Sequence, residues 1–91
     1  MSVKVNIFYP HLQQFTHQQE AVHVEGDTVG ECLDHLVRQF PGIEQGIFDK
    51  QGQLLNYVYF FINGKATYPT SLTMSVNDGD ELTIALLLAG G

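Results

Sequence analysis

The chain has 91 residues, enough for one small domain, and 44% of them are hydrophobic and 15% charged, as in globular proteins. Ten acidic residues against four basic ones give a net charge of -6, and the basic residues are scattered, so we expect no nucleic-acid partner. No apolar run is long enough to span a membrane, and no signal-peptide pattern opens the sequence. These features predict a cytoplasmic domain without a membrane partner.

The first quarter of the chain predicts a hairpin of two strands. Residues 2–9 alternate between apolar and other side chains, with Val3, Val5 and Ile7 on one face. A polar connection follows, and residues 20–25 form a second short strand. No Asn-Gly pair lies between the strands, so we expect a long, loose turn.

The clearest predicted element is a helix that begins after Asp27. Thr28 and Glu31 fit the Ser/Thr-x-x-Glu capping box, in which each side chain satisfies a backbone amide of the first turn. Apolar residues then recur at helical spacing and form one stripe: Val29, Cys32, Leu33, Leu36, Val37 and Phe40. Pro41 and Gly42 end the helix. Such a stripe is expected to pack against a sheet.

The second half of the chain predicts three further strands. Residues 54–62 are rich in aromatic and β-branched side chains and indicate a central strand. The Asn63-Gly64 turn allows residues 65–68 to pair back briefly. A tight turn at residues 77–80 leads to the last strand, residues 81–87.

The order of these elements predicts a two-layer α+β domain. A parallel pairing of the first and last strands at the centre of the sheet makes it the β-grasp, or ubiquitin-like, fold. That fold is a mixed four- to five-stranded sheet packed on one main helix. We expect the domain to occupy residues 1–88, followed by a flexible tail of residues 89–91.

The sequence ends in Ala89, Gly90 and Gly91. Extended at roughly 3.3 Å per residue, these three residues reach about 10 Å beyond the last strand. Glycine adds no bulk beside the terminal carboxylate and tolerates backbone angles closed to other residues, so the tail fits a narrow active site. Its carboxylate suits activation by ATP, first as an acyl-adenylate and then as a thiocarboxylate or thioester. The alternative is a loose, chemically idle end.

Several segments together resemble one family, the MoaD/ThiS sulfur carriers. They are the Asp78-Gly79-Asp80-Glu81-Leu82-Thr83-Ile84 turn and strand, the YVYFFINGK segment of residues 57–65, the helix start Gly26-Asp27-Thr28-Val29 and the terminal Ala89-Gly90-Gly91. The resemblance covers essentially the whole chain. Leu86-Leu87-Leu88 replaces the proline that family members often carry before the tail. In length the chain is more similar to molybdopterin-type and cysteine-synthesis-type carriers than to the short thiazole type.

The resemblance implies a protein cosubstrate rather than an enzyme, of the kind also described as the small subunit of a synthase. An E1-like enzyme adenylates Gly91 with ATP, and a sulfur donor converts the product to a thiocarboxylate. A sulfur-acceptor synthase subunit then receives the sulfur for cofactor or amino-acid biosynthesis, with the molybdopterin type favoured. Gly90 keeps the approach to that carboxylate open. No stably bound cofactor is expected, and the free carrier is expected to be a monomer.

Two alternative functions use the same fold. A lysine amine can attack the activated Gly91, which makes the chain a ubiquitin-like protein modifier. A non-reactive β-grasp adaptor binds partners without any chemistry at the tail. The sequence does not separate the carrier from the modifier, because both need the same domain and the same tail.

A candidate docking surface follows from the alternation of side chains in the central strand. Val58, Phe60 and Ile62 are expected to face the helix, so the aromatic residues between them face outward. Together with residues ahead of the tail they form the predicted partner-binding set: Phe8, Tyr59, Phe61, Leu87, Leu88 and Ala89. The alternatives are that residues 41–56 cover these rings, or that the register is shifted by one residue.

Other reactive side chains have simpler interpretations. Cys32 lies within the apolar stripe, so we expect a buried, inert thiol rather than a sulfur relay. His11, His17 and His23 recur every six residues, but they fall in a turn and its flanks, so no metal site is expected. The acidic residues near the turn at 77–80 are explained by turn geometry.

Overall fold

The computed structural model describes residues 1–8, 10–67 and 72–86. Within these ranges the chain forms five strands and three helical segments. The strands are β1 (Ser2–Ile7), β2 (Ala21–Glu25), β3 (Val58–Ile62), β4 (Lys65–Ala66) and β5 (Glu81–Leu86). The helical segments are α1 (Pro10–Gln13), α2 (Val29–Gln39) and a 3₁₀ helix over Pro41–Gly46.

The predicted hairpin is confirmed by the antiparallel pairing of β1 with β2. Val3, Val5 and Ile7 of β1 are fully buried, as their alternation predicts. The connection, expected to be a polar loop, contains the short helix α1. Proline is favoured at the first position of a helix, and α1 begins with Pro10. The Leu12 side chain of α1 is fully buried in the hydrophobic core.

The main helix α2 begins and ends where its sequence signals place it. The Thr28 side-chain oxygen accepts a hydrogen bond from the backbone N–H of Glu31 at 3.2 Å. The Glu31 carboxylate accepts from the N–H of Asp27 at 3.0 Å, one residue earlier than in an ideal capping box. The two amides between Thr28 and Glu31 also have partners: the Val29 N–H donates to the Met74 carbonyl and the Gly30 N–H donates to the Leu72 carbonyl. The backbone N–H groups of the first turn are therefore hydrogen-bonded.

The sheet has the strand order β2-β1-β5-β3-β4. β5 lies between β1, to which it is parallel, and β3, to which it is antiparallel. One cluster of buried side chains joins the sheet to α2, and it includes Cys32, Leu33, Phe60, Leu82 and Ile84. This arrangement is the predicted β-grasp fold, with five strands and one main helix.

The segment between α2 and β3 differs from the prediction of a strand over residues 54–62. Only Val58–Ile62 joins the sheet. Leu54 instead forms an isolated bridge with Phe48, and the Leu55 N–H donates to the Ile47 carbonyl at 3.0 Å. Leu54 and Leu55 therefore pair with the preceding loop, which composition alone cannot distinguish from pairing with the sheet.

The turn at residues 77–80 ties three parts of the chain together. Its Asp80 carboxylate accepts hydrogen bonds from the Asn77 N–H at 2.7 Å and from the Asn63 side chain at 3.1 Å. The Ser2 N–H donates to the Asp78 carboxylate at 2.7 Å. Gly79, at φ +87°, has the left-handed backbone that glycine adopts most easily. The turn thus connects the start of β1, the β3–β4 turn and the start of β5.

The free edge of β2 is partly covered by side chains of α2. The backbone N–H of Glu25 donates to His35 Nδ1 at 2.6 Å, and Gln39 Nε2 donates to the His23 carbonyl at 3.3 Å. In β2 the even-numbered residues form the backbone hydrogen bonds to β1. The N–H of Glu25 and the carbonyl of His23 therefore point away from β1. Two of the outward-facing polar groups of this edge strand therefore have partners within the domain.

Replacing Asp80 with asparagine is expected to make folding less sensitive to acid. The Asn77 backbone N–H and the Asn63 side chain lower the pKa of Asp80. Its stabilising effect is therefore present above the pKa of an unfolded aspartate, about 3.9, and is lost as the pH falls through the lowered folded value. Urea denaturation of Asp80→Asn and wild type, at neutral pH and below about pH 3, measures the difference.

The matched control is Asp34→Asn, on the exposed side of α2. This variant is expected to lose stability in acid as the wild type does. An Asp80→Asn protein with the same acid dependence as wild type would contradict the role assigned to this carboxylate.

Candidate functional site

The last strand of the described chain, β5, lies in the middle of the sheet rather than at an edge. β5 runs between β1 and β3, and its last residue, Leu86, pairs with Val58. Further along the chain, the predicted site residues Leu87, Leu88, Ala89, Gly90 and Gly91 lie outside the described residues. The strand that leads to them is paired on both sides, so the end of the described chain at Leu86 has a fixed position.

The outward-facing aromatic residues of β3 lie where the alternation predicts. Val58 and Phe60 are buried on the helix side, and Tyr59 and Phe61 are half-buried on the outer face of the sheet. Their partners on β5 are the small residues Ala85 and Thr83. Such small neighbours do not cover the rings from the side of β5, so part of each ring stays accessible for a contact surface.

Two more exposed aromatic residues lie at the tail end of the same face. Phe8 directly follows β1 and is 63% exposed, and Tyr57 directly precedes β3 and is 43% exposed. They flank β5 on its two sides, because β1 and β3 are its neighbours in the sheet. We call Phe8, Tyr57, Tyr59 and Phe61 the aromatic patch.

The loop after α2 does not cover the aromatic patch. Its Ile43 and Ile47 are fully buried in the core, and the 3₁₀ helix contacts α1 and α2. The loop therefore lies on the helix side of the sheet. A register shift is also excluded, since Phe60 and Ile84 are paired and both buried. Both alternatives to an accessible outer face are wrong.

Asn6 is a residue of this face that the sequence analysis missed. It is only 7% exposed, and its side-chain amide donates to Glu81 Oε1 at 2.9 Å and to Thr83 Oγ1 at 3.2 Å. Its signal in the sequence is an asparagine in a strand of valine and isoleucine, where asparagine is normally rare. The outer face therefore combines the aromatic patch with a polar row across β1 and β5.

Cys32 is buried, as expected. Its side chain is fully buried among the apolar residues of α2 and the sheet. Burial raises the pKa of the Cys32 thiol, with smaller contributions from nearby carboxylates and an opposing one from the N-terminal amine. A thiol with a raised pKa and no access to solvent is a poor nucleophile.

The three spaced histidines lie at different places in the domain. His11 packs edge-on against Phe15, and His17 packs edge-on against Phe40. His23 is an exposed residue of β2. In the described part of the chain, no group of three histidine, cysteine or acidic residues is arranged to hold a metal ion.

Comparison with known proteins connects this geometry to a family. The model of the ThiS family matches residues 7–91, which include the glycine tail. The chain belongs to the ThiS family. The β-grasp fold, the central β5 strand and the terminal glycines are thus features of a ThiS-family protein. The predicted resemblance to the sulfur carriers is confirmed.

Relatives of this ThiS-family chain are carriers and modifiers. The sulfur carrier protein CysO of Mycobacterium tuberculosis is 30% identical over 83 residues, covering 88% of this chain and 89% of the relative. Small archaeal modifier protein 1 of Haloferax volcanii is 37% identical over 71 residues, covering 77% of this chain and 78% of the relative. Its crystal structure superposes with a TM-score of 0.84 over the full length of both chains, at 30% identity.

A third relative was solved together with a partner protein. A chain of the BexX/CysO complex of Amycolatopsis orientalis is 28% identical, with a TM-score of 0.84, and the match covers 98% of this chain and 99% of that one. The relatives are small proteins that carry or modify rather than enzymes, in agreement with the expectation of a protein cosubstrate. Among the described residues, no helix has the length and apolar composition to cross a membrane.

Removal of the Cys32 thiol is expected to affect stability but not the tail. Cys32→Ala deletes one buried heavy atom and should lower the free energy of unfolding by about 1 kcal/mol. In the native protein, iodoacetamide should alkylate Cys32 only at the rate at which the domain opens, and rapidly in urea. The same slow labelling should follow addition of ATP and activating enzyme, whereas fast labelling under those conditions would indicate a thiol relay.

Proposed function

We propose that this ThiS-family chain is a sulfur carrier whose Gly91 carboxylate is activated by an E1-like enzyme and converted to a thiocarboxylate. The observation that carries the proposal is the match to the ThiS family through residue 91, on a domain whose last strand is fixed at the centre of the sheet. A folded domain whose sequence ends in two residues without side chains suits delivery of a carboxylate into an enclosed active site.

The chemistry divides between the carrier and its partners. A carboxylate oxygen of Gly91 attacks the α-phosphorus of ATP, and pyrophosphate leaves. A sulfur nucleophile then attacks the carbonyl carbon and AMP leaves, which places sulfur on the tail. The carrier supplies only the carboxylate and the docking surface, so ATP is a substrate of the activating enzyme and the chain itself needs no cofactor.

The aromatic patch is the proposed docking surface for these partners. It lies beside the end of β5, so a partner that receives the tail also contacts the outer face of the sheet. Phe8 and Tyr57 are exposed on either side of β5, and aromatic residues of this kind dominate binding energies at protein interfaces. Leu87, Leu88 and Ala89, which lie outside the described residues, stay part of the predicted partner-binding set.

The acceptor of the sulfur is selected by the partner enzyme rather than by the carrier. Chain length favours a molybdopterin-type or cysteine-synthesis-type partner, but the relatives described above have names that refer to sulfur carriage and protein modification. They give no particular support to the molybdopterin type, which stays a prediction. The modifier at 37% identity favours lysine conjugation as the second candidate function.

Deletion of Gly91 is expected to abolish activation without unfolding the domain. The full-length chain, incubated with ATP, a sulfide source and the E1-like enzyme of its own organism, should gain the mass difference between sulfur and oxygen. The deletion variant should gain nothing, while its thermal unfolding stays unchanged because no described core residue is touched. Mass spectrometry of the intact protein measures both.

The same spectra distinguish the candidate functions. Branched species, in which the chain is joined to lysines of other proteins, would favour the modifier. If a variant that lacks Gly91 kept full biological activity, both the sulfur carrier and the lysine modifier would be contradicted. The non-reactive adaptor would then be the remaining candidate function.

Replacement of Phe8 by serine is expected to weaken docking with little effect on stability. The side chain is largely exposed, so its loss costs the folded domain little. Loss of an interface aromatic should raise the KM of the activating enzyme for the carrier about 5- to 30-fold, with kcat unchanged. Leu72→Ser, an exposed apolar residue beside the start of α2, is the control and should leave KM unchanged. Equal effects of the two variants would place docking elsewhere.

A further inference from the structure

Asn6 breaks the pattern of the strand that contains it. β1 is an internal strand of the sheet, and its neighbours Val5 and Ile7 are the residue types that strands favour. A buried asparagine at such a position gives up packing and strand propensity, and its amide must be hydrogen-bonded to be tolerated. Departures of this kind from local rules are expected where function requires them.

The amide of Asn6 is used to hold a carboxylate. Glu81 Oε1 accepts its hydrogen bond at 2.9 Å. The backbone of Glu81 is fixed as well, because its N–H donates to Asn63 Oδ1 and its carbonyl accepts from the Asn63 N–H, each at 2.9 Å. The carboxylate is thus held at one oxygen while the residue stays exposed to solvent.

Among the described residues, the Glu81 carboxylate is not part of an ion pair. Lys4 is the partner of Glu81 in the β1–β5 register, yet no lysine or arginine in the described ranges forms an ion pair with it. Leu82 and Ile84 are buried, so Glu81 lies on the same outer face as Thr83 and Ala85. Thr83 in turn is paired with Phe61 of the aromatic patch.

The size of an ordinary interface brings Glu81 into contact with any partner that covers the patch. Four residues of strand separate Glu81 from Ala85, a distance of about 13 Å. A standard protein interface buries about 800 Å² on each side, which corresponds to a patch roughly 30 Å across. A partner centred on the aromatic patch therefore also reaches Glu81, which lies about 13 Å from Ala85 and so near the rim of that interface.

We propose that Glu81, oriented by Asn6, is the specificity-determining contact of the docking face and receives an arginine or lysine side chain of the activating enzyme. The inference rests on the proposed function and names the partner's chemistry at that surface. A charge at the rim of an interface steers association and selects the partner, so a protein without this cation is expected to dock less well. Asn6 acts as a positioning residue, because it keeps the carboxylate in one orientation before the partner arrives.

The test compares two variants that remove the same charge from different faces. Glu81→Gln should raise the KM of the activating enzyme for the carrier about 10-fold at unchanged kcat, and should reduce the dependence of KM on salt. Glu44→Gln, an exposed residue of the 3₁₀ helix on the opposite side, should leave KM within about 2-fold of wild type. Equal effects of the two substitutions would overturn the inference, because only the net charge would then matter.

A third variant separates positioning from stability. Asn6→Val restores a favourable strand residue, so its urea midpoint should equal or exceed that of wild type. Its KM should nevertheless rise, because the Glu81 carboxylate is no longer held. A lowered midpoint with wild-type KM would show that Asn6 serves the fold alone and would overturn the positioning role.

These outcomes are distinct from failure of the proposed function. Thiocarboxylation of the wild-type chain is measured in the same reactions. If the wild-type chain is thiocarboxylated but Glu81→Gln does not change KM, only the role of Glu81 is contradicted. If the wild-type chain is not thiocarboxylated, the proposed function itself is contradicted.

Discussion

The parallel pairing of β1 with β5 determines the rest of the arrangement. It brings the first and last described strands side by side at the centre of the sheet, with Val5 beside Leu82 and Ile7 beside Ile84. Parallel neighbours need a long crossover, and the segment containing α2 supplies it together with the cover for the inner face. Because β5 is bonded on both sides, the chain after Leu86 continues from an internal strand of the sheet.

The same pairing divides the sheet into two faces with different tasks. The inner face carries the apolar core, which α2 and the loop after it cover completely. The outer face carries the aromatic patch and the Asn6–Glu81 pair, and no described helix packs on it. The core and the proposed docking surface are therefore formed by alternate residues of the same strands, so substitutions on the outer face can change its contacts without disturbing the core.

Much of this architecture could be predicted because its signals are local. The capping residue Thr28 and the apolar stripe after it define α2, and strict alternation defines β1 and the buried side of β3. The extent of β3 could not be predicted, since Leu54 and Leu55 pair with the preceding loop and equally suit a sheet. α1 was missed because four residues are too few for a periodic pattern.

The candidate site also combines features that the sequence predicts with features that only the structure shows. Tyr59 and Phe61 face outward because side chains alternate along a strand and Val58 and Phe60 face the core. The sequence alone was therefore enough to predict their direction. The role of Asn6 required coordinates, because its two partners lie more than 70 residues away in the chain. An asparagine in a strand signals an exception, but only the register of β1 against β5 identifies the carboxylate that it holds.

The covered edge of β2 has a consequence for the protein in a crowded solution. An edge strand presents unpaired backbone N–H and C=O groups, with which a strand of another chain can pair and so extend the sheet. Here an incoming strand must first displace His35 from the Glu25 amide and Gln39 from the His23 carbonyl. At the opposite edge β4 has only two residues, too short a template for a stable ladder. Neither border of the sheet is an easy seed for amyloid-like stacking.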